Sequence, residues 1–140
     1  MNPFSKILHE LRTSRGLRQE ELANLVTCNQ KYISSLETGV KPPPRPHFLK
    51  ATSEALGLDE EDRNRLWAAA KSSKRKYIIP DDAPEEFYLF VEDLWEAQES
   101  LHPYLLASLH NQLKLPGKLK YEPKPHIERI KRRRKEAPEM

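Results

Sequence analysis

From Asn2 to Ala70, helix starts and helix stops follow one another so closely that no segment can run for more than a few turns. Asn2 and Pro3 make an N-cap with proline at the first helical position. Phe4, Ile7, Leu8 and Leu11 follow at the i, i+3, i+4, i+7 spacing of a one-sided helix, and Gly16 ends it. A second helix is predicted from about Arg18 to Leu25, with Leu22 and Ala23 inward. The four-residue link "VTCN" joins it to a third helix within "NQKYISSLETG", the two stretches sharing Asn29. "VKPPPRP" then breaks the chain. A fourth helix covers about His47 to Leu56, with Phe48, Leu49 and Leu56 inward and Gly57 as its stop. Asp59 caps a fifth, with Leu66, Trp67 and Ala70 on its apolar side. Helices this short are marginal in water and hold only when packed together. The pattern therefore predicts a five-helix all-α domain over residues 1–71.

The bulk properties fit one small domain with an appendage. The chain has 140 residues, of which 37% are hydrophobic and 32% charged, enough for a thin core. No apolar run is long enough to span a membrane. "MNPFSKILHE" lacks the apolar stretch of a secretion signal, so a cytoplasmic protein is expected. The lone Cys28 excludes an internal disulfide framework. The net charge of +3 hides an uneven distribution. Residues 1–70 are nearly neutral, residues 83–115 carry one basic against six acidic side chains, and residues 116–140 carry nine against four.

The third segment poses the functional question. Asn29 is a good N-cap, and Gly39 stands where a helix end wants a left-handed residue. Ile33 and Leu36 are its only aliphatic residues, enough to pin one narrow edge. Gln30, Lys31, Ser34 and Ser35 are left pointing elsewhere. Two short helices joined by a tight turn, the second with an outward polar face, describe a helix-turn-helix. In that arrangement the second helix lies in the DNA major groove and offers amide, hydroxyl and cationic groups to base edges.

"GLRQEELANLVTCNQKYISSLETGVKPPPRPHFLKATSEALGL" resembles the helix-turn-helix domains of the phage repressor and Cro family, or Xre-type regulators. The matching residues are Gln19-Glu20-Glu21-Leu22-Ala23, then Tyr32-Ile33-Ser34, Leu36-Glu37 and Gly39, and finally Ala55-Leu56-Gly57. The likeness covers about residues 4–70. It implies a phosphate contact from Gln19, base reading by Gln30, Lys31 and Ser35, and backbone contacts from Thr38 and Lys41. It places Arg45 where some members reach the minor groove, and Arg12 with Glu37 where a structural ion pair ties the first helix to the third. Ser34 joins the base-reading set, and Asn29 and Arg18 the backbone set, by position. Two positions depart from the pattern. Arg18 replaces the usual Thr or Ser cap, which weakens the cap and adds a cation near phosphate. Thr27 replaces the usual turn glycine, which implies a less common turn geometry.

The remainder reads as appendage. Residues 72–83 form a linker. Helices from about Pro84 to Ser100 and from Pro103 to about Leu115 look like an antiparallel hairpin for dimerisation or partner binding. Phe87, Phe90, Val91, Leu94 and Trp95 on one and Leu105, Leu106, Leu109 and Leu113 on the other give it sticky faces. Residues 116–140 are a basic, proline-punctuated flexible tail, either a solubilising end or a source of further phosphate contacts. His9, His47, His102, His110 and His126 show no metal-ligand pairing, and no nucleophile, base and orienting group cluster in sequence. No cofactor, no metal and no catalysis are expected. The expected function is that of a sequence-specific double-stranded DNA-binding regulator, a repressor that binds a palindromic operator as a homodimer. The alternative is an antitoxin-like protein that autoregulates its promoter and binds a partner through residues 84–115.

Overall fold

The computed structural model describes residues 1–115 and contains seven helices and no strand among them. The basic tail expected over residues 116–140 lies outside the described residues. The chain divides into two units, Met1–Asp81 and Asp82–Met140.

Within the first unit, α1 (Pro3–Ser14) starts where Asn2 Oδ1 accepts from the Ser5 backbone N–H at 2.8 Å. It satisfies one of the donors that a helix start leaves without an intrahelical partner. Helices α2 (Gln19–Leu25), α3 (Gln30–Thr38), α4 (Pro46–Ala55) and α5 (Glu60–Ser72) follow. Helix α1 packs against both α3 and α5, α2 packs against α3 and α4, and α4 packs against α5. The shared core holds Phe4, Leu8 and Leu11 from α1, Leu22 and Ala23 from α2, and Ile33 and Leu36 from α3. Leu49, Leu56 and Leu66 close it from the α4–α5 side. The unit continues past residue 71: the Ser73 hydroxyl accepts from the Phe4 backbone N–H at 2.9 Å and is buried.

The turn between α2 and α3 has the geometry that a glycine would give. Thr27 has φ 58°, the left-handed region. The expectation of a different turn is therefore corrected: the backbone path is retained and the side chain is strained. A β-branched residue there crowds its own carbonyl at a cost of about 1–2 kcal/mol. Cys28 N–H donates to Ala23 O at 2.9 Å and Thr27 N–H to Asn24 O at 3.3 Å, so the turn is held from α2 regardless. Thr27→Gly should then stabilise the unit by about 1 kcal/mol, read as a higher urea midpoint. An unchanged or lower midpoint would show that the strain is relieved some other way.

The second unit carries α6 (Glu85–Ala97) and α7 (Pro103–Leu113). His102 Nδ1 accepts from Tyr104 N–H at 3.2 Å at the start of α7. Neither helix buries a residue. Trp95 is 69% exposed and Tyr104 82% exposed. The aromatic and leucine side chains expected to form sticky faces thus remain in contact with solvent.

Candidate nucleic-acid interface

Helix α3 is held on the domain from three sides. Ile33 and Leu36 point into the core and are fully buried. The Ser5 hydroxyl donates to Leu36 O at 2.6 Å. Tyr32 sits edge-on to Phe48 of α4, with ring centroids 5.2 Å apart. Beneath the helix, Glu37 is the hub of a polar cluster. Arg12 Nε donates to Glu37 Oε1 at 2.5 Å and Arg12 Nη2 to Glu37 Oε2 at 2.9 Å. This is the two-pronged match of a guanidinium to a carboxylate. Arg12 Nη1 donates to Leu17 O at 2.5 Å, so the same side chain also holds the α1–α2 corner. Gln19 Nε2 donates to Glu37 Oε2 at 2.9 Å, and His9 Nδ1 lies 3.1 Å from the same oxygen.

The charge state follows from these contacts. Burial opposes the Glu37 carboxylate, but bonds from Arg12, Gln19 and His9 outweigh it and hold the carboxyl below its ordinary value. The bond to Glu37 likewise raises Arg12. Glu37 is therefore a carboxylate at neutral pH.

The opposite side of α3 is open. Gln30 and Lys31 are exposed in its first turn, ahead of the anchored Ile33. Ser34 and Ser35 are half-buried, and the Ser35 hydroxyl donates to Tyr32 O at 2.7 Å, leaving its oxygen lone pairs available. Asn29 Oδ1 accepts from Lys31 N–H at 2.8 Å and caps the helix. Thr38 is exposed, with its hydroxyl on Ser34 O at 3.0 Å. The Lys41 ammonium rests over the Tyr32 ring, 5.2 Å from its centroid, a cation–π contact that fixes where the charge stands. Arg45 is exposed at the N-cap of α4.

At the start of α2, Arg18 makes no side-chain cap, yet its backbone N–H is taken by Glu21 Oε2 at 2.7 Å. The cap lost at Arg18 is thus partly made up from Glu21, and the Arg18 guanidinium, with 82% of its side chain exposed, stays on the surface. Gln19 differs from the rest of the set. It is half-buried and one amide hydrogen is committed to Glu37, so one remains for an outside acceptor. Cys28 is half-buried, and burial raises its thiol, which disfavours the reactive thiolate.

Two features were not legible beforehand. Gln19 and His9 join the Arg12–Glu37 pair only because α1, α2 and α3 meet there. Arg75, in the segment read as a linker, donates to Gly39 O and to Val40 O, the latter at 3.1 Å. No sequence signal distinguishes Arg75 from its basic neighbours. Among the described residues no group of His, Cys, Asp and Glu could hold a metal ion, and no helix is long and apolar enough to cross a membrane.

Two short helices at a four-residue turn, with the second anchored by a narrow edge and polar outside, define a helix-turn-helix domain, the module that suggests a DNA-binding regulator. Residues 4–66 match the family described as helix-turn-helix domain. No curated protein and no solved structure matches the chain significantly.

Proposed function

We propose that this protein is a sequence-specific double-stranded DNA-binding regulator of the Xre and Cro type, acting as a cytoplasmic repressor on a palindromic operator. The observation that carries this reading is the exposure of Gln30 and Lys31 at the leading end of a helix whose other edge is fully buried. An amide suits adenine and a cation suits the acceptor edge of guanine, with Ser34 and Ser35 completing the reading edge. Arg18, Gln19, Asn29, Thr38, Lys41 and Arg45 flank that edge in the chain and supply hydrogen-bond donors for phosphate. Such contacts fix position without reading sequence. The domain has no catalytic role in this reading. Selection of bound sequences from random duplexes with the purified protein tests it directly. A recovered palindrome supports the reading, and recovery of no preferred sequence overturns it.

A single recognition helix makes few base contacts, and two-fold pairing multiplies them. The second unit supplies a surface suited to that pairing, since Phe87, Phe90, Trp95 and Leu106 are each at least 44% exposed. Truncation after residue 82 should weaken self-association by at least tenfold and lower operator affinity with it. Sedimentation of the shortened chain checks this, and an undiminished dimer would move the interface to the first unit. The same exposed side chains favour one second reading, an antitoxin-like protein that uses residues 84–115 to bind a partner. A second polypeptide that co-purifies with the full chain and is lost on that truncation would decide for it.

A further inference from the structure

Helix α3 ends in a place where DNA phosphate would be unwelcome. The carbonyls at a helix C-terminus carry partial negative charge, and α3 has no basic residue in its last turn to offset it. The chain supplies the offset from far away in sequence. Arg75 lays its guanidinium on Gly39 O and Val40 O, the two carbonyls just past α3.

Two further hydrogen bonds, both through Ser73, seat the segment that carries Arg75. Ser73 is buried, donates to Ala69 O at 2.8 Å and accepts from Phe4 N–H, which ties the end of α5 to the start of α1. Gly39 in turn lies against α1: a β-carbon there would stand 3.3 Å from both Asn2 Nδ2 and Ser5 Oγ. The Ser5 hydroxyl reaches Leu36 O. The end of α5, the start of α1 and the end of α3 therefore meet at one corner. Residues 74–76 are drawn over that corner, and Lys74, Arg75 and Lys76 are all exposed there. The exposed Lys71 stands three residues before Lys74, and Lys41, with its ammonium over the Tyr32 ring, stands two residues after Gly39.

Resting on the proposed DNA-binding reading, we infer that residues 74–76 form a basic strap that contacts the DNA phosphate backbone beside the C-terminal end of α3. Arg75 is its positioning residue: it neutralises the helix end and holds the strap in place. Lys74 and Lys76 are its phosphate-contacting residues. Among the described residues neither of their ammonium groups has an ion-pair or hydrogen-bond partner; Lys74 rests on the nearby Tyr77 ring. Residues 72–83 are thus more than a spacer in this reading. Their first part extends the DNA surface by two cations per chain.

The test is a salt titration of the full-length chain on a duplex selected from random sequence. Lys74→Ala/Lys76→Ala should flatten the slope of log affinity against log salt by about 1.8 units per chain. Between about 50 and 200 mM salt, that makes the loss of affinity about tenfold smaller for each chain bound. The preferred sequence and the melting temperature should not change. Arg75→Ala should flatten the slope by more than the one unit expected for a single lost charge, because the strap is then unseated. Equal slopes for wild type and the lysine variant, with binding to the selected duplex intact, would overturn the strap and leave the DNA-binding reading standing. A wild-type chain that binds no duplex would overturn both.

Discussion

Replacing Arg12 by alanine should destabilise the first unit by about 3–5 kcal/mol, because it leaves the Glu37 carboxylate buried without its main partner. The Arg12 and Glu37 side chains are 9% and 4% exposed, so water cannot substitute for the lost guanidinium. The same change removes the bond from Arg12 to Leu17 O, so the α1–α2 corner loosens together with the seat of α3. Urea unfolding near neutral pH measures the effect. A drop of less than about 1 kcal/mol would show that Gln19 and His9 suffice to hold the carboxylate. Removing both charges, Arg12→Met with Glu37→Leu, should cost much less than Arg12→Ala alone, since no unpaired charge remains.

The pH dependence gives a second reading of the same pair. In the wild type the Glu37 carboxyl is depressed below its ordinary value. Its contribution is therefore complete above the ordinary carboxyl value and is lost as pH falls through the lower, folded-state value. The wild type should lose stability on acidification. In Arg12→Ala the largest opposing influence, burial, is less well answered, so protonation of Glu37 relieves the variant. The gap between wild type and variant should accordingly narrow as pH falls. A gap that stays constant down to about pH 3 would mean that Glu37 does not titrate with the pair.

Lys31→Ala and Gln30→Ala should each weaken binding to the selected operator by about 1–3 kcal/mol and relax the choice of base at particular positions. Both side chains are exposed and neither contributes to the core, so the melting temperature should stay where it is. That separation distinguishes them from Arg12→Ala, which should lower stability first and binding only as a consequence. It also distinguishes them from the strap lysines, which should change the salt slope and leave base choice alone. Competition between the selected duplex and single-base variants of it gives the measurement. If either alanine variant discriminates as the wild type does, its side chain is not reading a base.

Local chemistry determined the starts of α1, α3 and α5 and the ends of α1, α3 and α4. Asn2, Asn29 and Asp59 each cap a helix start through a side-chain oxygen, and Gly16, Gly39 and Gly57 adopt positive φ where helices stop. These are interactions over three or four residues, and residue type suffices to specify them. Periodicity likewise assigned Leu8, Leu22, Ile33, Leu36, Leu49 and Leu66 to the core, since one face of a short helix must be buried. The polar outside of α3 follows from the same pattern. The turn at Thr27 is where local reasoning failed: side-chain preference favoured another path, and packing of α2 against α3 imposed the left-handed one.

Tertiary structure decided the rest. Which groups surround Glu37 depends on the meeting of three helices, because His9, Arg12 and Gln19 come from up to 28 residues away. Arg75 lies 36 residues from Gly39, and only the closure of α5 onto α1 brings it to the end of α3. Contacts of that kind carry no sequence period, since their partners are set by where whole helices pack and not by what neighbours them in the chain. Apolar spacing in α6 and α7 specified two helices, and each leaves most of its aromatic and leucine side chains exposed and none buried. A hydrophobic stripe states that a face needs covering; the identity of the cover is a property of the partner surface, which the stripe does not encode.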